Sequence, residues 1–233
     1  MRDSGLFVPA TDAEIAAIRA FRSREIRVPA GAALQREQDL AGDLYTLLSG
    51  WAFRYKTLKD DRRQILNFLL PGDFIGLQGQ LGKEAQYGVE TLTDAALCVF
   101  PRKELLAFFR DQPQLGYDIT WLCAHEEMVV DDNLVTAGRR NAQERVAMLL
   151  LHLWKRAGRL GLTAPDGVAF PLTQQHIADA LGLSLVHTNK TMARLRRLGM
   201  FSIEDGRLQV LAPRALASIA DWYEQPIGQR PLI

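Results

Sequence analysis

The stretch from Leu172 to Met200, LTQQHIADALGLSLVHTNKTMARLRRLGM, limits the possible folds of this chain more than any other segment. It holds two helical patterns separated by a Gly-Leu-Ser break. Thr173 suits the N-cap of a first helix, because its hydroxyl can accept from an orphaned backbone N–H of the first turn. Ile177, Ala178 and Leu181 fall on one side of that helix, and small Ala178 lets a second helix cross closely above it. Gly182 can end the first helix and Ser184 can cap the second. A connection of about three residues is the length of a helix-turn-helix. At about 100° per residue, Thr188, Thr191, Met192, Leu195 and Leu198 form the core side of the second helix. Val186, Asn189, Lys190, Ala193, Arg194 and Arg197 form the outer side.

That outer side is cationic, and the second half of the segment has no acidic residue. A surface helix selected only for solubility usually mixes acids with bases to gain i,i+4 pairs. Lys and Arg neutralise phosphates or contact guanine, Asn can pair with adenine, and the methyl groups of Val or Ala can meet a thymine methyl. The face predicts a helix for the major groove. Charge along the chain agrees: residues 1–138 have a net charge of −5 and residues 139–233 a net charge of +6. Such segregation points to a polyanion partner for the second part. The alternative is a ligand-binding or protein-interaction module whose basic half contacts protein rather than DNA.

Elsewhere the texture changes twice. TDAEIAAIRAF (11–21) predicts a short helix with Thr11 and Glu14 as a capping box. From about residue 25 to 100, short apolar or alternating runs broken by Gly, Pro and Asp predict a β-sandwich or jelly roll, with tight turns near Gly50 and Gly72. Pro113 opens a long helical stretch in which Leu115, Ile119, Leu122, Val129, Val130 and Leu134 form an apolar stripe. That stripe is expected to pair with a second copy in a homodimer, although Glu126-Glu127 and Asp131-Asp132 interrupt it. Gly138 is expected to end it, with GRRN as a hinge. Asn141 and Glu144 predict a capping box for the next helix, and Asp205-Gly206 predicts a hairpin behind the bihelical segment, the wing of a winged helix-turn-helix. APRALASIADWYEQ predicts a last helix.

The fold class is therefore α+β, in three parts: a jelly-roll domain at 1–112, a dimerisation helix at 113–138 and a winged helix-turn-helix DNA-binding domain at 139–233. No apolar run approaches the roughly 18–20 residues of a bilayer span, and MRDSGLFVPATDAEI lacks the pattern of a secretory signal. Cys98 and Cys123 are too few for a disulfide framework and are expected to be core thiols rather than redox groups. A cytoplasmic protein without membrane contact is expected. His125, His152, His176 and His187 all lie outside the strand region and are expected to be polar helix residues rather than haem ligands. No His-x-His…Glu set is present, so neither a metal, a cofactor nor an enzyme is predicted.

The order of parts, with AQERVAMLLLHL and PLTQQHIADALGLSLVHTNKTMARLRRLGM before a wing, resembles the Crp/Fnr family of bacterial transcription regulators. The resemblance implies a homodimer on an inverted-repeat promoter site, with a cyclic-nucleotide-binding-like jelly roll as sensor. Carried over by position, it puts base reading on Leu185, Val186, Asn189 and Lys190. Cyclic-AMP-responsive members have Arg and Glu at the first two of these, and a Val cannot accept from cytosine as Glu does. The candidate double-stranded DNA contacts are Thr173, Gln174, Ser184, Leu185, Val186, His187, Asn189, Lys190, Arg194 and Arg197. The nucleotide pocket of the family would fall on Gly76, Leu77, Ala85 and Gln86, where binders have Gly-Glu and Arg-Ser or Arg-Thr. Without that Arg a cyclic phosphate would be desolvated with no counter-charge, so an effector, if the roll takes one, is of unknown identity. TAPDGVAF aligns with the loop through which relatives touch RNA polymerase, which makes Thr163 to Gly167 a candidate activating surface.

Overall fold

In the computed structural model, which describes residues 7–78, 83–222 and 229–231, the alternating runs form strands. They are β1 (Arg24–Val28), β2 (Ala33–Gln35), β3 (Leu44–Ser49), β4 (Ala52–Thr57), β5 (Arg63–Leu69), β6 (Phe74–Ile75), β7 (Gly88–Thr91) and β8 (Ala95–Phe100). Two four-stranded sheets result, ordered β1-β8-β3-β6 and β2-β7-β4-β5, with antiparallel pairing throughout. This is the double-sheet jelly roll that the alternation predicts. Gly50 and Gly72 occupy positive φ in the expected turns.

Because successive side chains leave a strand on opposite faces, β3, β6 and β8 each serve two cores. Leu47, Ile75 and Leu97 point into the roll with Val89 and Tyr87. Leu44, Phe74 and Phe100 point outward, where an apolar face needs a helical cover. The cover comes from α1 (Asp12–Phe21), α2 (Leu105–Asp111) and the start of α3 (Pro113–Arg139). The Thr11–Glu14 capping box is present, and the Phe21 and Phe108 rings stack with centroids 4.2 Å apart.

Three members of the expected dimer stripe are not open to a second copy. Leu115, Ile119 and Leu122 are buried in the chain's own core with Leu44, Phe74 and Phe100. They serve the roll rather than a second copy, because the outer face of the β1-β8-β3-β6 sheet would otherwise be wet. Val129 and Val130 are half-buried, while Met128, Leu134 and Val135 are exposed. The helix also runs through Gly138 to Arg139.

Beyond it lie α4 (Ala142–Arg159), β9 (Thr163–Ala164), β10 (Gly167–Ala169), α5 (Gln174–Leu181), α6 (Leu185–Arg197), β11 (Phe201–Glu204), β12 (Arg207–Val210) and α7 (Pro213–Ile219). Asn141 and Glu144 form the expected capping box. Rather than hanging free, the segment before it is tied down: Arg140 donates from Nε to the Ala220 carbonyl at 3.1 Å. Strands β11-β12-β10-β9 make one small antiparallel sheet, with Asp205 and Gly206 at positive φ in the hairpin turn. Helix α7 is shorter than expected, and Tyr223 to Gln225 lie outside the described residues.

The chain divides into two compact units between Val130 and Asp131, inside α3, rather than at 112 and 138. Residues 229–231 belong with the β unit instead of the C-terminal one. Arg230 donates from Nη1 to Asp73 Oδ1 at 3.2 Å and from Nη2 to the Gly72 carbonyl at 2.6 Å. The Val8 N–H donates to the Arg230 carbonyl at 2.9 Å. Among the described residues, no helix is long and apolar enough to cross a membrane.

Candidate DNA interface and effector region

Helix α5 begins with the Thr173 hydroxyl accepting from the His176 N–H at 3.2 Å, while the Thr173 N–H donates to His176 Nδ1. It ends at Gly182 in the left-handed region (φ 61°, ψ 36°), where a residue with a Cβ would be strained. The Ser184 hydroxyl then accepts from the His187 N–H at 3.2 Å and starts α6. Each capping residue lies where the sequence predicts it. Ile177, Ala178 and Leu181 of α5 and Thr188, Thr191, Met192 and Leu195 of α6 are buried. They belong to a unit whose α4 buries Val146, Ala147, Leu150 and Leu151. Arg145 braces the junction, donating from Nη1 to the Leu181 carbonyl at 2.8 Å.

The opposite side of α6 is open. Ser184, Leu185, Val186, His187, Lys190, Arg194, Arg196 and Arg197 are exposed, as are Thr173 and Gln174 at the head of α5. Burying Thr188, Met192 and Leu195 turns the residues two positions away, Val186, Lys190, Arg194 and Arg197, outward, so the fold itself presents the cationic side. Three details depart from the sequence reading. Leu198, placed on the core side, is exposed, because it is the C-cap residue where the helical spiral ends. Asn189 is half-buried, with Oδ1 enclosed and unbonded among the described residues, so pairing with adenine through both amide atoms requires its side chain to turn out. Arg194 is partly committed: with the Gln143 amide oxygen turned toward it, its Nε and Nη1 donate across to α4 at 2.8 and 2.9 Å. Among the described residues, Lys190 and Arg197 are the exposed cations of the predicted face without such a tie.

The TAPDGVAF segment is no loose loop. It forms the β9–β10 hairpin, and Arg207 of the wing pairs with Asp166 at 2.6 Å and donates to the Gly167 carbonyl at 2.6 Å. Gly167 has φ 113°, and a Cβ there would lie 2.4 Å from the Leu208 carbonyl oxygen. Substituting Asp166 or Gly167 would therefore disturb the wing as well as the turn. Thr163, Ala164 and Pro165 are exposed.

In the β unit the four effector-region residues do not form one lining. Gly76, at φ 105°, gives its carbonyl to Arg102 Nη2 at 2.6 Å. Leu77 packs on the helix-side core. Ala85 is buried and exchanges backbone hydrogen bonds with the Gln38–Asp39 segment, while Gln86 is exposed. The residues that follow these pairs do meet: the Tyr87 O–H donates to Gln78 Oε1 at 2.6 Å. Arg54, Gln78 and Tyr87 stand in no motif of the sequence, and Glu126 is expected there only as an interruption of the α3 stripe. The available signal was a single cation inside the apolar strand WAFRY. Burial, and secondarily the Glu126 charge, push the Cys123 thiol upward, away from the reactive thiolate. His125 stacks on Trp121, His176 caps α5, and His152 lies against Trp222, so the histidines are dispersed.

A jelly roll, a long helix and a winged helix-turn-helix with a cationic recognition side define a two-unit, DNA-binding transcription regulator. Comparison with known proteins agrees. Residues 25–112 match the cyclic nucleotide-binding domain model and residues 144–219 match the Crp-like helix-turn-helix domain. The nitrogen fixation regulation protein FixK of Bradyrhizobium diazoefficiens is 32% identical over 89% of this chain and 87% of its own length. The transcriptional activatory protein AadR of Rhodopseudomonas palustris is 32% identical over 85% of this chain and 82% of its own. The solved structure of FixK2 from Bradyrhizobium japonicum superposes with a TM-score of 0.76 at 27% identity, covering 84% of this chain and 96% of that one. The chain belongs to the Crp/Fnr family of transcription regulators.

Proposed function

We propose that the protein acts as a homodimer on an inverted-repeat promoter site, with α6 of each copy in the major groove, and that its jelly roll does not take cyclic AMP by the usual contacts. The observation that carries the first part is the two-sidedness of α6: Leu195 is fully buried while Val186, Lys190 and Arg197 are exposed. Base reading is assigned to Leu185, Val186, Asn189 and Lys190, and phosphate contact to Arg194, Arg197, His187, Ser184, Thr173 and Gln174. Support for pairing of two copies comes from Trp121, Met128 and Val135, which recur every seven residues of α3, and from exposed Leu134. For the second part, Ala85 and Gln86 supply no cation where a phosphate would need one. The role is regulatory rather than enzymatic, and it suits the cytoplasm.

Footprinting of the purified protein on genomic fragments tests this reading. Two protected half-sites about one helical turn apart are expected; protection of a single half-site would exclude the paired arrangement. On the site so found, Lys190→Ala should cost about 1–3 kcal/mol and relax base preference, whereas Arg197→Ala should weaken all duplexes about evenly. Equal losses on specific and random DNA for Lys190→Ala would refute the base-reading assignment.

Activation through the exposed β9–β10 turn is a further part of the proposal. RNA polymerase contact there predicts that changing Thr163 and Pro165 lowers transcription several-fold from the target promoter at unchanged DNA affinity. These two positions avoid the Asp166–Arg207 tie. Unchanged transcription would remove the turn from the activating surface.

A further inference from the structure

Within the jelly roll lies a charged pair that DNA binding does not use. Arg54 of β4 is 5% exposed, and its Nη1 lies 2.9 Å from Glu126 Oε1 on α3. Gln78 Nε2 donates to Glu126 Oε2 at 3.0 Å, and Gln78 in turn accepts from the Tyr87 O–H at 2.6 Å. The guanidinium carbon of Arg54 stands 4.9 Å from the centre of the Tyr87 ring. Arg54 Nε is enclosed and has no hydrogen-bond partner among the described residues. Gln78 directly follows Gly76-Leu77 and Tyr87 directly follows Ala85-Gln86, so the cluster grows from the two segments that frame the effector region.

A guanidinium taken out of water needs an anion, since burying an unpaired charge is prohibitively unfavourable. In a nucleotide-binding roll the ligand brings that anion. Here a helix of the chain brings it, in the form of one carboxylate. The unbonded Nε matters because a guanidinium offers a fork, and a carboxylate held through both Nε and Nη is the strongest geometry available to it. Glu126 meets Nη1 of Arg54 while Nε meets no partner among the described residues, so the guanidinium keeps donor capacity that its resident carboxylate does not use.

We propose that Arg54 is the centre of a small-anion site of carboxylate class, and that its resident occupant is the Glu126 side chain, an intramolecular ligand that holds α3 on the roll without an added effector. The proposal rests on the reading that this roll does not use the usual nucleotide contacts. It differs from a purely structural ion pair in one respect: once Glu126 is shortened, the site should accept a free carboxylate.

The test is thermal unfolding of full-length Glu126→Ala in sodium acetate and in sodium chloride at equal ionic strength and pH. The variant should melt roughly 5 °C or more below the parent, as expected when one partner of a buried pair is removed. Acetate about tenfold above its dissociation constant should return about 3–5 °C, with chloride returning much less. The parent and the double variant Arg54→Met/Glu126→Ala should not distinguish the two salts. An equal response of Glu126→Ala to both salts would overturn the proposal, as would acetate stabilisation that survives loss of Arg54. Should Glu126→Ala not accumulate in folded form, refolding yield in the two salts decides instead: more in acetate supports the site, and equal yields overturn it. None of these readouts involves DNA, so their failure leaves the DNA-binding reading standing, and failure of the parent to bind a promoter would leave the anion site standing.

Discussion

Raising salt from about 50 to 200 mM should weaken binding of the protein to its duplex site by about a thousand-fold. The expectation follows from counting cations on one side of one helix. Lys190, Arg194 and Arg197 lie on the open side of α6, and among the described residues no acidic side chain occurs within α6. Two copies of that face neutralise about six phosphates. Each phosphate contributes close to 0.9 to the slope of log affinity against log salt, through counterions released from the duplex. A fourfold rise in salt then removes about three orders of magnitude. Fluorescence anisotropy with a labelled duplex over that range measures the slope directly. A fall of less than tenfold would mean that the basic face meets something other than a polyanion, and the protein-contact alternative would take its place. Arg197→Ala, which removes a phosphate contact, should lower the slope measured on random DNA by about two in the dimer, one phosphate per copy.

The second large effect is on the other side of the same helix. Leu195→Ala should destabilise the C-terminal unit by about 2–5 kcal/mol, the range for deleting a fully buried leucine side chain into a space that relaxes only partly. Leu195 is 0% exposed and sits between α6 and the rest of a core that includes Ile177 and Leu150, also buried. A unit of this size should lose about 10 °C or more in melting temperature, and DNA binding should fall with the folded population. Lys190→Ala, by contrast, should move stability by no more than about 0.5 kcal/mol, as surface substitutions do. Circular dichroism melts of the two variants side by side make the comparison. If the two changed stability equally, the division of α6 into a clasped side and a free side would be mistaken.

Much of this helix was legible because its signals are local. The caps at Thr173, Ser184 and Asn141, the left-handed stop at Gly182 and the Asp205-Gly206 hairpin each depend on backbone groups within a few residues. The jelly roll was legible for a related reason: a period of two survives wherever one side of a strand is dry. Where the sequence reading failed, the missing information was the identity of a neighbour. Leu115, Ile119 and Leu122 make an apolar stripe whichever surface they meet, and periodicity alone does not say whether that surface is a second copy or the roll beneath. Leu198 continues the spiral on paper, yet stands beyond the last helical turn. Arg194 looked like a free cation until Gln143, half a unit away in sequence, came within reach.

By itself the sequence determined the class of each part, since hydrophobic period, cap chemistry and turn residues act over short stretches of chain. It also determined the sign of the face offered to a partner, because charge is carried by residue type wherever the residue lands. Only the tertiary structure decided which apolar stripe is spent inside the chain, that Arg230 returns to Asp73, and that Arg54 meets Glu126 across seventy-odd residues of intervening chain. Those pairings join side chains through space, and the energy that selects them, desolvation set against burial and counter-charge, exists only after the elements have packed.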